Sequence, residues 1–140
     1  MIHELPRIKR RITTNKMTEK ILYKDLSYKL VGCLYKVYNT LGPGHKENIY
    51  HKALKIEFDK QGIKYISKKR LKIEYEEKEV GVYEPDFIID DKIIVEIKSV
   101  LHIPKVYELQ LYYYLKGSSY RLGYLVNFGS ERINVIRRIN

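Results

Sequence analysis

This 140-residue chain has one cysteine, four prolines, no tryptophan and no long apolar run. A lone Cys33 excludes an internal disulfide framework and any zinc or iron–sulfur site built on cysteines within one chain. No stretch approaches the ~18 apolar residues that a spanning helix requires, which excludes a membrane helix. The basic start, MIHELPRIKRRITTNK, is not followed by the apolar core of about 7–15 residues that a secretory signal carries. A cytoplasmic location is therefore expected. With tryptophan absent, any base-stacking surface must come from the 14 tyrosines, and most of these fall at helix or strand core positions.

What the chain does have is positive charge. Lys and Arg number 27 against 17 Asp and Glu, for a net charge of +10. Such an excess favours a polyanionic partner, because Lys and Arg release counterions from nucleic-acid phosphates. The alternative is a lysine-rich, well-solvated surface. The length suits one domain, and 44% hydrophobic residues suffice for a core. We divide the chain into a basic arm over 1–22 and a folded domain over 23–140.

Leu26, Leu30, Leu34, Val37 and Leu41 recur at helical spacing, flanked by Val31 and Tyr38. They predict a helix from Tyr23 to Leu41, stopped by Gly42-Pro43-Gly44. A second helix is expected from His45 to Gln61, with Ile49, Tyr50, Ala53, Leu54 and Phe58 inward. The period then falls to two. Strands are expected at Tyr65–Ile66 and Leu71–Glu76. A turn at Glu77–Glu79 leads to a strand over Val80–Ile89, and a turn at Asp90-Asp91-Lys92 to a strand over Ile93–Val100. A third helix starts at Pro104 and ends at Gly117, with Val106, Leu109, Gln110, Tyr113 and Tyr114 on its inner side. Strands over Tyr120–Phe128 and Ile133–Ile139 complete the order ααββββαββ. The pattern reads as an α/β domain, a mixed sheet flanked by helices.

The central hairpin, PDFIIDDKIIVEIKS, holds the sharpest signal. A three-residue turn pairs Ile89 with Ile93 and Phe87 with Val95. It collects Phe87, Ile89, Ile93, Val95 and Ile97 on one face, and burial selects such a register. Asp86, Glu96 and Lys98 then share the other face. Facing carboxylates repel unless a proton, water or a cation intervenes. Mg²⁺ suits a site of few carboxylates with coordination positions left for substrate. A solvated strand face carrying a Glu–Lys pair has the same spelling. Glu47, in the first turn of helix two, is also a favourable partner of the helix dipole. Gln110 and Tyr114 stand four residues apart on one helical face.

Together these residues resemble the GxxExxY proteins, a branch of the PD-(D/E)XK nuclease superfamily. Gly44, Glu47 and Tyr50 match the name-giving motif. Pro85-Asp86 and Glu96-Ile97-Lys98 match the nuclease signature, and Gln110 to Tyr114 looks like the QxxxY element of RecB-like members. GYLVNFG, Gly123 to Gly129, resembles the strand and turn that follow. The resemblance implies a restriction-endonuclease-like core and a Mg²⁺- or Mn²⁺-dependent nuclease. Asp86, Glu96, the Ile97 carbonyl and Glu47 would hold the metal. Lys98 would orient or deprotonate water, and Gln110 would fix the metal shell or the scissile phosphate. Tyr114, Tyr50 and Lys105 would contact substrate. It also implies a nucleic-acid partner, DNA before RNA; a domain of this size has little room for a base-reading element, so sequence specificity would need a homodimer or a second protein. A catalytically silent binding or complex-forming module with the same fold, and a structural oligomer with incidental charge, are the alternatives.

Overall fold

Helix α1 (Lys24–Leu41) forms where the leucine stripe requires it. Leu30, Cys33, Leu34 and Val37 are buried, and Leu26, Val31, Tyr38 and Leu41 pack beside them. The computed structural model describes residues 22–140. The arm expected over 1–22 thus lies outside the described residues apart from Leu22. Gly42 ends α1 at φ +75°, its N–H donating to the Tyr38 carbonyl at 2.7 Å. A left-handed stop of this kind favours glycine. Helix α2 (Glu47–Lys60) buries Tyr50, His51, Leu54, Glu57 and Phe58. Ile49, expected inside, is exposed. The buried stripe follows Tyr50, Leu54 and Phe58 at four-residue steps and leaves Ile49 on its flank.

Five strands form the main sheet: β1 (Tyr65–Ser67), β4 (Phe87–Ile89), β5 (Ile93–Lys98), β6 (Leu122–Asn127) and β7 (Asn134–Ile139). They lie in the order β1-β4-β5-β6-β7. Only β5 and β6 are parallel; helix α3 (Lys105–Lys116) connects them. The remaining pair, β2 (Leu71–Tyr75) and β3 (Lys78–Tyr83), makes a separate two-stranded ribbon. The single strand expected over Val80–Ile89 is therefore two strands in two sheets. Pro85 separates them. It lacks a ladder N–H and constrains the residue before it. The ribbon turn also sits earlier than expected, at Glu76-Glu77, both at positive φ, with Tyr75 paired to Lys78. Such a two-residue turn matches the twist of its strands.

The β4–β5 register follows the sorting of the faces: Phe87 opposite Val95, Ile88 opposite Ile94, Ile89 opposite Ile93. Phe87, Ile89, Ile93, Val95 and Ile97 join Leu122, Tyr124, Val126 and Phe128 under α1 and α2. The opposite face carries a smaller core of Tyr83, Ile94, Leu111, Leu115 and Leu125, with Tyr107 and Tyr114 packed against it. This corrects the inner side of α3. Val106, Leu109 and Tyr113 are exposed, and Leu111 and Leu115 are buried instead. Helix α3 sits close on the sheet because β6 offers Gly123. A Cβ there would lie 2.9 Å from a Leu111 methyl. Among the described residues no helix is long and apolar enough to cross a membrane.

Candidate active site

Two links fasten Asp86 and Glu96 to each other. The Asp86 carboxylate accepts the Ile97 N–H at 2.8 Å, and the Asp86 N–H donates to the Glu96 carboxylate at 3.1 Å. Glu96 thus spends one oxygen on the amide of Asp86, and Asp86 spends one on the amide that follows Glu96. The Asp86 carbonyl is held as well, by the Lys68 N–H at 3.1 Å and by the His51 ring at 3.3 Å. His51 stacks on Phe87 with centroids 4.2 Å apart, and its Nε2 lies 3.1 Å from the Ser67 hydroxyl. Burial lowers the His51 pKa. A neutral imidazole is therefore the lock behind the first acid.

Burial, reinforced by the negative charge of Asp86, raises Glu96 to about 7. The pair thus retains a proton near neutrality that a divalent cation would replace. Tyr83 packs over this pair. Its hydroxyl is buried without a hydrogen-bond partner. Burial first, and the Glu96 charge second, push its pKa far upward. Lys98, on the same face as Glu96, places Nζ 4.2 Å above the Tyr107 ring, a cation–π seat.

The donor set suits a hard cation: two carboxylates, one oxygen of each free of a backbone donor, with the Ile97 carbonyl on the same strand. Among the described residues no three His, Cys, Asp or Glu side chains converge as a metal cluster. Glu47 stands instead in the exposed first turn of α2, where it lines a groove together with Asp86. A cation here would rest on the acid pair, with water or substrate completing its shell.

Gln110 is exposed, 3.4 Å from the Tyr114 hydroxyl. Tyr114 stacks on Tyr83 at 3.6 Å. This pair therefore reaches the acids through Tyr83. Lys105 is exposed at the start of α3 and lines a different groove, with Asn127 and Ser130. Tyr50 is fully buried, stacked on Phe128 at 4.4 Å. Its hydroxyl donates to the Gly42 carbonyl at 2.6 Å and accepts the His45 N–H at 3.0 Å. With no exposed surface it cannot touch a substrate, and its place is that of a strut. Gly44 at φ +91° donates to the Phe128 carbonyl, and the Ser99 hydroxyl donates to His45. Through these bonds the loop before α2 is tied to the ends of β5 and β6, which delivers Glu47 to the acid end of the sheet.

Three residues escaped the sequence reading. Tyr83 and His51 look like ordinary members of amphipathic elements. Asn127 had a legible signal, a polar residue inside the apolar run YLVNF. It is 1% exposed. Its amide accepts from Val100 N–H and Gly129 N–H at 3.0 Å each and donates to the Val100 carbonyl at 2.8 Å. It thereby pins the chain two residues after Lys98. Gly129 completes the pin, since a Cβ there would lie 2.2 Å from the Val100 nitrogen. Cys33, by contrast, is buried, with its thiol raised by desolvation to about 11. Burial and a raised pKa are the marks of a core thiol.

No curated protein and no solved structure matches the chain. A family model, that of the PD-(D/E)XK nuclease superfamily, matches residues 24–139. The match takes in both acids, the lysine and every strand of the sheet that carries them. The mixed sheet between helices is likewise consistent with a restriction-endonuclease-like fold. By this match over most of its length, the chain belongs to the PD-(D/E)XK nuclease superfamily.

Proposed function

We propose that this protein is a metal-dependent nuclease that hydrolyses phosphodiester bonds, in DNA before RNA. The observation that carries the reading is the Asp86–Glu96 pair, tied together by two hydrogen bonds from backbone amides to the carboxylates, on the face that also bears Lys98. Mg²⁺ or Mn²⁺ would be held by Asp86, Glu96 and the Ile97 carbonyl, with Glu47 reaching it through water. When bound, the cation supplies Lewis acidity and a more acidic water.

The chain's own residues do the rest. Asp86 and Glu96 hold their carboxylates in place before substrate arrives, because backbone amides fix one oxygen of each. Lys98 brings an ammonium to the same face. It stabilises charge developing on the phosphate and orients the attacking water. Tyr83 shields Glu96 from bulk solvent, with its hydroxyl available to the carboxylate. Gln110 and Tyr114 brace Tyr83 from α3. The GxxExxY resemblance supports the same role for Glu47. A cytoplasmic setting suits this chemistry.

A second reading is a nucleic-acid-binding or complex-forming module with this fold and no turnover. It is favoured by the standing of Glu47 apart from the acid pair. One experiment separates the two: cleavage of single- and double-stranded DNA and RNA with Mg²⁺, Mn²⁺ or EDTA, wild type beside Lys98→Ala. Metal-dependent cutting that Lys98→Ala abolishes supports the nuclease. Wild type that binds DNA and cuts nothing under any condition overturns it.

A further inference from the structure

Beside the acid pair runs a groove of about 410 Å³ between α2 and the turn that follows β1. Glu47 and Asp86 contribute to its lining, along with Asn48, Lys52, Lys55 and Lys68. Asn48, Lys52 and Lys55 follow one another at steps of four and three residues, which places them in a row along one helix face. The row spans ~10 Å at 1.5 Å per residue. Lys68 belongs to β1's turn, and its own N–H donates to the Asp86 carbonyl at 3.1 Å. Lys52, Lys55 and Lys68 all line this one concavity, the first two from α2 and the third from the turn opposite.

Several other cations of the protein are engaged by carboxylates. Lys36 and Lys60 pair with Glu57, Lys92 with Asp90, Arg70 with Glu84, and Arg138 with Glu108. Among the described residues, Lys52, Lys55 and Lys68 have no carboxylate partner. Three unpaired ammoniums in one concavity, next to an amide donor and leading to paired acids, form a track for anions.

We propose that this groove binds the phosphate backbone of the substrate strand on one side of the scissile bond, with Lys52, Lys55 and Lys68 each holding backbone phosphate. This rests on the nuclease reading for the meaning of "scissile", but backbone binding itself does not require cleavage. Contacts to phosphate position a strand without reading its bases. The groove would thus set where the backbone lies relative to Asp86 and be indifferent to sequence.

The test is metal-free binding of labelled single- and double-stranded oligonucleotides in EDTA, read by fluorescence anisotropy across a salt series. The groove variant Lys52→Ala/Lys55→Ala/Lys68→Ala is compared with a charge-matched control, Lys24→Ala/Lys29→Ala/Lys116→Ala. The groove variant should bind at least about tenfold more weakly. Its slope of log K against log salt should be shallower by about 2 to 3, at roughly 0.7–0.9 for each phosphate no longer neutralised. The control should keep a slope within about one of wild type. Lys52→Arg/Lys55→Arg/Lys68→Arg should restore binding, which separates lost charge from lost folding. Wild-type affinity in the groove variant, or an equal loss in the control, overturns the proposal. So does full displacement of the oligonucleotide by inorganic phosphate at constant ionic strength, which would mark a site for the free ion. The two readings fail separately. Binding lost in the groove variant while wild type never cuts leaves the groove and removes the nuclease. Cutting abolished by Lys98→Ala while the groove variant binds normally does the reverse.

Discussion

The two hairpins of this protein are built from similar alternating strands and end in opposite states. The β4–β5 hairpin lies in the middle of the main sheet, and every residue from Phe87 to Ile89 and from Ile93 to Val95 is buried. The β2–β3 ribbon projects from the fold. Ile73, Tyr75, Val80 and Val82 are exposed there, and Leu71 and Tyr83 anchor its base. From Lys72 to Glu79 the ribbon carries four glutamates and two lysines, against the +10 of the whole chain. The difference shows where this fold holds precise chemistry. Asp86 and Glu96 on the buried hairpin are locked by backbone amides, and burial raises the pKa of Glu96. Glutamates on the ribbon face water and repel a nucleic acid. A two-stranded ribbon also has little stability of its own, so it adds little to the rigidity of the site.

The largest expected effect breaks the chemistry and spares the fold. Lys98→Ala should reduce cleavage by about 10²–10⁴-fold, the range expected of a positioned acid–base or charge-stabilising group. Its melting temperature should stay close to that of wild type. A large drop in melting temperature alongside lost activity would instead mark Lys98 as structural.

The next breaks the pin behind the buried hairpin. Asn127→Ala leaves the Val100 N–H and carbonyl and the Gly129 N–H without their partner. At about 1–3 kcal/mol for a buried unsatisfied group, a loss of about 3 kcal/mol is expected in urea unfolding. Gly129→Ala should be at least as severe, because the clash is with backbone.

A smaller effect concerns protons. The folded pKa of Glu96 is about 7, raised from 4.5. An acid raised on folding favours the folded state below its unfolded pKa and loses that contribution as pH rises to the folded value. Metal-free stability should therefore decline between pH ~4.5 and ~7, by an amount on the order of 3 kcal/mol at ~1.4 kcal/mol per unit. Glu96→Gln should flatten that decline in a thermal-melt series without metal. In wild type, affinity for Mn²⁺ should rise over the same window as the proton leaves. A flat profile in wild type would remove the shared-proton description of the pair.

The smallest effect is on the ribbon. Tyr75→Ala, at a residue 67% exposed, should change stability by no more than about 0.5 kcal/mol. A several-fold loss of nucleic-acid binding in that variant would give the ribbon a role that its charge does not suggest.

Much of this architecture is legible in local pattern. The leucine stripe of α1, the Gly42 stop, the hairpin register and the placing of Asp86, Glu96 and Lys98 on one face all follow from periodicity. The pattern misled where two elements ran together. Val80–Ile89 reads as one strand because both halves are apolar, and only Pro85 hints at the break. On α3 apolar and aromatic residues surround the helix. With Val106, Leu109 and Tyr113 as hydrophobic as Leu111 and Leu115, pattern alone cannot say which side meets the sheet. Tyr50 reads as a functional motif residue, yet its hydroxyl is used inside the protein.

Sequence by itself determined the three helices, the register of the central hairpin and the three polar residues that share its outer face. These depend on spacing along a strand or helix, which is a local property. Only the tertiary structure decided what surrounds that face. It brought Tyr83 from the ribbon onto Glu96, His51 from α2 behind Asp86, and Asn127 from β6 against the chain beyond Lys98. It also turned three lysines from two separate elements into one groove. Such contacts join residues tens of positions apart. Their geometry is set by how helices and sheet pack, and no local periodicity encodes it.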